Sequence, residues 1–244
     1  MKNIISVERL KLKRSKIWFL YVLGPLVGVV LAFINFRNNY DLFMQPGDNE
    51  WMEAWTQVAI FMGPFVLPIM VGIYAAMVCR GEHVGGGWKQ LMALPLERHQ
   101  IFLGKLIMSA IMVAITLGMV FILFLVFGIV NRLQGFPPIG SILVFVVQGF
   151  LACMPLLLIQ LIISIRSKTF GIPLAVSIVF TLPAIIVAST PLGQFYPWTQ
   201  PMLAMSPADE SPIESYALFY CLLVGIFAVC LILGLRSFAR RDVA

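Results

Sequence analysis

The side chains best suited to hold a metal or to act as a nucleophile are two histidines, His83 and His99, and four cysteines, Cys79, Cys153, Cys221 and Cys230. Both histidines fall in one polar segment without H-E-x-x-H or other ligand spacing, so they read as solvated surface residues and not as a metal site. The cysteines lie in or beside long apolar runs, where a free thiol behaves as a small packing residue rather than a disulfide or cluster ligand. No G-x-S-x-G nucleophile elbow occurs. The glycine-rich run 81–89 fails as a phosphate loop, because Gly87 and Trp88 stand where Lys and Ser/Thr must follow the second glycine. The chain is therefore expected to be no enzyme, to bind no cofactor directly and to carry no ATPase site of its own.

What remains to be positioned is mostly apolar. Of the residues, 60% are hydrophobic and 11% charged, and the mean hydropathy is +0.95. An ordinary soluble domain carries about 25% charge, so a cytosolic enzyme, a secreted domain and a disordered tail are excluded. Runs long enough to cross a hydrocarbon core of about 30 Å as helices cover 17–36, 57–79, 101–130, 141–165, 170–190 and 216–235. Prolines interrupt several of them, at Pro25, Pro64, Pro68, Pro155, Pro173 and Pro183. Such breaks are tolerated where neighbouring helices satisfy the freed backbone groups.

Charge fixes the orientation. Of the 17 Lys and Arg residues, only Arg37 and Arg132 fall on one side of these runs. That side instead carries Asp41, Asp48, Glu50, Glu53, Asp209, Glu210 and Glu214. By the positive-inside rule both termini are cytoplasmic. The net charge of +6 is accounted for by topology and anionic lipid, with no nucleic acid partner. Segment 1–16, with Lys2, Arg9, Lys13 and Lys16 on one stripe, suits a helix lying in the inner headgroup region. The first run is too long for a signal core and reads as a retained span. The expected fold is all-α: one transmembrane domain over 1–244, with six spans, an interfacial helix and cytoplasmic termini.

Within the runs the notable polar groups are Gln57, Gln148 and Gln160, read as interhelical hydrogen-bonding residues. Essentially no ionisable group is expected in the membrane interior, which disfavours an ion-coupled transporter. The cytoplasmic loop 80–100 is more distinctive. Its glycines allow a sharp turn, residues 88–94 favour a short helix, and Pro95 stops it. Trp88, Leu91 and Met92 then share one apolar face, either tucked against the bundle or offered to a groove on a partner.

This loop resembles the corresponding segment of ABC-2-type transporter permeases, through Glu82, Gly87, Trp88, Leu91, Leu94, Pro95 and Arg98, leading into Lys105. The basic start, the six runs and the final Arg240-Arg241-Asp242-Val243 extend the likeness. The words Trp-Lys-Gln-Leu-Met-Ala-Leu-Pro, from Trp88, and Tyr-Pro-Trp-Thr-Gln-Pro, from Tyr196, look most like permeases of lantibiotic-immunity and bacitracin-resistance exporters. The resemblance implies that 80–100 is a coupling segment, with Met92 beside the motif residues, docking on separate ATP-hydrolysing subunits in two copies. It implies a second permease, identical or homologous, in a bacterial plasma membrane, and ATP acting only through the partner. It also implies that 191–215 forms a re-entrant external hairpin. Tyr196 and Trp198 there suit the outer interface, and Asp209, Glu210 and Glu214 could attract a cationic peptide. The expected function is removal of an antimicrobial peptide from the membrane. Export of a lipid, drug or other peptide, and a non-transporting assembly or sensory role, stay open as alternatives.

Overall fold

In the computed structural model, residues 2–13, 15, 17–84, 86–93, 95–213 and 215–240 are described. The expectations placed on Leu94 and Glu214 lie outside these residues, as do those on Lys16 and 241–243. The apolar runs become α2 (Trp18–Asn38), α4 (Glu50–Phe61), α5 (Leu67–His83), α7 (Arg98–Val130), α8 (Ile139–Arg166) and α12 (Tyr216–Ala239), with α3 (Tyr40–Phe43) following α2. A single π turn, Met62–Val66, joins α4 to α5, so 50–83 is one continuous helix. Among the described residues, five helices are long and apolar enough to cross a membrane.

The turn type follows from the sequence. Pro64 has no amide to give the carbonyl four residues back, and its ring would clash there in an α-helix. Widening one turn to π geometry relieves that clash without breaking the rod. Pro183 acts differently. It divides 170–190 into α9 (Gly171–Thr181) and α10 (Ala184–Ala188), each too short to span alone. Together 171–188 would extend about 27 Å. Ser177 holds α9 to α5 by donating to the Pro68 carbonyl at 2.6 Å, and Gly72 leaves room for that approach.

Packing defines two ends of the bundle. At one, Arg98 donates to the Ala239 carbonyl at 2.7 Å and Arg166 to Ser237 at 2.7 Å. At the other, Glu50 accepts from the Gln134 amide at 2.8 Å and from Tyr40 at 2.6 Å, and Arg37 donates to the Asn131 carbonyl. Between them lies an aromatic core in which Trp55 meets Phe124 edge-on at 5.1 Å. Tyr74 shares a 2.6 Å hydrogen bond with Thr116. Helix α12 is peripheral: Phe219, Leu223, Gly234 and Phe238 are its buried residues.

Two expectations are revised. The interior is not free of ionisable groups, because Lys105 is wholly buried in α7. Of the three glutamines, Gln57 accepts from Asn35 at 2.7 Å, whereas the buried amide of Gln160 has no partner among the described residues. The N-terminal helix, α1 (Lys2–Lys13), docks on α7 and α5. Its inward stripe is Ile4, Glu8 and Leu12, with Ile4 filling the space over Gly104, while Val7, Arg9, Leu10 and Lys13 face outward.

Candidate functional site at the basic end

Lys105 anchors this site from α7. Its ammonium lies 2.9 Å from Glu82 Oε1 and 3.2 Å from Glu8 Oε1, and donates to the Val78 carbonyl at 2.8 Å. Those three contacts use all three ammonium donors. Lys11 approaches the same carboxylates, at 2.7 Å from Glu82 and 3.3 Å from Glu8. Two ammoniums and two carboxylates thus balance, which is the condition under which buried charge is tolerated. The cluster ties α1, α5 and α7 together beneath the loop.

The loop closes over it. Gly86, at φ 74°, turns the chain in the left-handed region that glycine enters freely. Gly87 then starts α6 (Gly87–Ala93) so close to α5 that a Cβ there would sit 2.8 Å from Glu82 Cα and the Gly81 carbonyl. Next, Trp88 turns inward and is 6% exposed. Its ring packs on Phe238 of α12 at 5.8 Å, and Lys105 Nζ lies 5.5 Å from its centroid.

The indole N–H donates to His83 Nδ1 at 3.2 Å. An indole nitrogen can only donate, so Nδ1 carries the lone pair and Nε2 the proton. That Nε2–H meets the Ser164 carbonyl of α8 at 2.9 Å. His83 is therefore a half-buried link between α5, α6 and α8, not the solvated residue its spacing suggests. His99 does lie at the surface, 3.0 Å from Glu97.

Trp88, Leu91 and Met92 share the inward side of α6, with Leu91 and Met92 half-buried against the core. Lys89, Gln90 and Ala93 form its exposed side, Pro95 is exposed, and Arg98 lies half-buried against the end of α12. Sequence reasoning missed Glu8, Lys11 and the His83 link. One signal was available: Glu8 is the lone carboxylate in a segment crowded with cations.

At the opposite end, residues 191–213 fold back onto the bundle. A 3-10 turn, Pro191–Phe195, leads to α11 (Gln200–Met205), which is buried except for the half-buried Met202 and packs against α8, α4 and the π turn. Trp55 donates to the Met205 carbonyl at 2.8 Å. Trp198 is sandwiched between Phe180 at 4.9 Å and Tyr196 at 5.4 Å, and the Tyr196 hydroxyl donates to the Phe180 carbonyl at 2.6 Å. The Trp198 ring is thus covered by its own neighbours, while its buried indole N–H has no partner among the described residues. Asp209 and Glu210 are exposed, within electrostatic reach of Glu53.

No curated protein matches the chain. A family model described as ABC-2 family transporter protein matches residues 4–184, which include the charge cluster, α6 and every link made by His83. With most of its length covered by that model, the chain belongs to the ABC-2 family of transporter proteins.

Proposed function

We propose that the chain is the permease subunit of an ATP-driven exporter, and that α6 is its coupling helix. The supporting observation is the two-sidedness of α6. Its inner side reaches α5 and α8 through His83, α12 through Phe238, and the cluster through Lys105. Its outer side, Lys89, Gln90 and Ala93, is exposed, with no helix over it among the described residues. A push on that outer side by a partner would act on the bundle as one body, which suits a rigid-element transition between two states. In this reading two ATPase chains supply the push, a second permease completes the pathway, and both termini are cytoplasmic in a bacterial plasma membrane. Segment 171–188 makes the sixth crossing.

The cargo we propose is a membrane-inserted cationic antimicrobial peptide. Asp209 and Glu210, exposed beside Glu53, give the opposite end a field that would favour such a ligand. Trp198 supports the hairpin in this reading, leaving peptide contact to the acidic groups and the edge of Tyr196.

Coexpression with neighbouring reading frames and purification in mild detergent tests the coupling assignment. A P-loop ATPase is expected to copurify with the wild type and to be lost from Lys89→Glu/Ala93→Glu, while the permease keeps its thermal unfolding midpoint. Unchanged ATPase recovery in that variant would overturn the assignment. Replacing Trp88 and Leu91 by Asp should instead lower the folded yield, because both face the bundle.

A further inference from the structure

Beside the charge cluster, on the other flank of α5, lies a cleft of about 120 Å³ between the ends of α5 and α8 and the start of α9. Arg80, Ser167, Lys168 and Thr169 line its mouth, and Phe170 and Pro173 form part of its apolar wall. Arg80 and Lys168 are exposed, and neither forms an ion pair among the described residues. The carboxylate of Glu82 meets Lys11 and Lys105 through Oε1 and does not line this cleft. Two cations and two hydroxyls, with no carboxylate among the described residues that line it, make a cleft whose chemistry fits a phosphate.

The surroundings specify what carries that phosphate. Phe170 is 37% exposed and Ile172 50%, and an apolar stripe continues outward along α9 through Ala175 to Val179, 59% exposed. These positions repeat at helical spacing and form one face. A charged cleft opening directly onto an uncovered apolar stripe suits an amphiphile with its head at the basic end.

We propose that this cleft binds the anionic phosphate headgroup of a membrane lipid, whose acyl chains lie along the exposed face of α9. Basic pockets between membrane helices recognise anionic headgroups in this way. The inference rests on the membrane reading of the chain but on no particular cargo or ATPase, so it can fail while the exporter reading stands.

Native mass spectrometry of the detergent-purified chain, titrated with phosphatidylglycerol or phosphatidylcholine, tests it. Phosphatidylglycerol should bind selectively, and Arg80→Gln/Lys168→Gln should weaken it about thirtyfold. Arg9→Gln/Lys13→Gln, which removes the same charge elsewhere on this end, should leave that binding within about twofold of wild type. The charge-preserving Arg80→Lys/Lys168→Arg pair should keep it, and decides the matter should the glutamine pair unfold. Equal binding of the two lipids, an equal loss in the Arg9/Lys13 variant, or loss in the charge-preserving pair would overturn the proposal. So would displacement of phosphatidylglycerol by equimolar inorganic phosphate, which would mark a free-anion site.

Discussion

Lys105 shows how much one side chain can organise. It meets Glu8 and Glu82, donates to Val78, and lies beneath the Trp88 ring, so three other elements, α1, α5 and α6, converge on one ammonium. Lys105→Met removes the cation and leaves two carboxylates with only the half-exposed Lys11 between them. Breaking a buried pair from one side costs about 3–5 kcal/mol. The variant should therefore unfold at clearly lower temperature in detergent, and its α1 should become accessible to protease. Glu8→Leu/Lys105→Met/Glu82→Met, which removes buried charge of both signs, should recover much of that loss. A triple variant no more stable than the single one would show that the cluster does not act as a balanced set. Glu82 was legible in the sequence through the loop motif, but its partners were not. Glu8 and Lys11 come from a segment some seventy residues earlier, and their pairing with Lys105 depends on α1 lying against α7. Nothing in local charge spacing encodes that docking.

At the scale of elements, the long apolar runs were legible because length and hydropathy alone decide them. Their interruptions were not, because proline has more than one structural outcome. Pro64 is absorbed in a π turn and the rod continues, Pro155 sits inside an unbroken α8, and Pro183 ends α9. The π turn also explains where α11 can sit. Gly63 faces the Met202 backbone so closely that any Cβ would overlap it. Gly28, by contrast, faces mainly the flexible end of Met62. Gly63→Ala should therefore push α11 away and Gly28→Ala should not, since a thioether can rotate aside while a helix backbone cannot. With Gln200→Cys as reporter in a background lacking Cys79, Cys153, Cys221 and Cys230, maleimide labelling should rise at least several-fold for Gly63→Ala. It should stay near the parent level for Gly28→Ala. Equal labelling of both would mean that Gly63 does not set the position of α11.

Across the whole molecule, the decisive question is how the chain travels from Lys168 to Met205. Lys168 lines the cleft beside Arg80 and His83 at the basic end, whereas the Met205 carbonyl is bound by Trp55, one turn along α4 from Trp51, which donates to the Gly135 carbonyl at 3.3 Å. The chain must traverse the bundle between those points, although neither α9 nor α10 is long enough alone. The apolar run 170–190 is long enough in sequence, but its break at Pro183 leaves no single helix of spanning length there. The stacked Phe180, Trp198 and Tyr196 rings help close that piecewise passage where α9 gives way to α10. If 171–188 crosses the membrane, Lys168 and Glu210 must lie on opposite sides. In the cysteine-free background, Glu210→Cys and Gln134→Cys should react with an impermeant maleimide in intact cells, whereas Lys89→Cys and Lys168→Cys should react only after permeabilisation. A chain crossing five times would put Glu210 on the same side as Lys168 and the two ends of the chain on opposite sides. Labelling of Lys168→Cys and Glu210→Cys from one side would therefore overturn the six-crossing topology; were that side cytoplasmic, Asp209 and Glu210 would also lose contact with any external peptide.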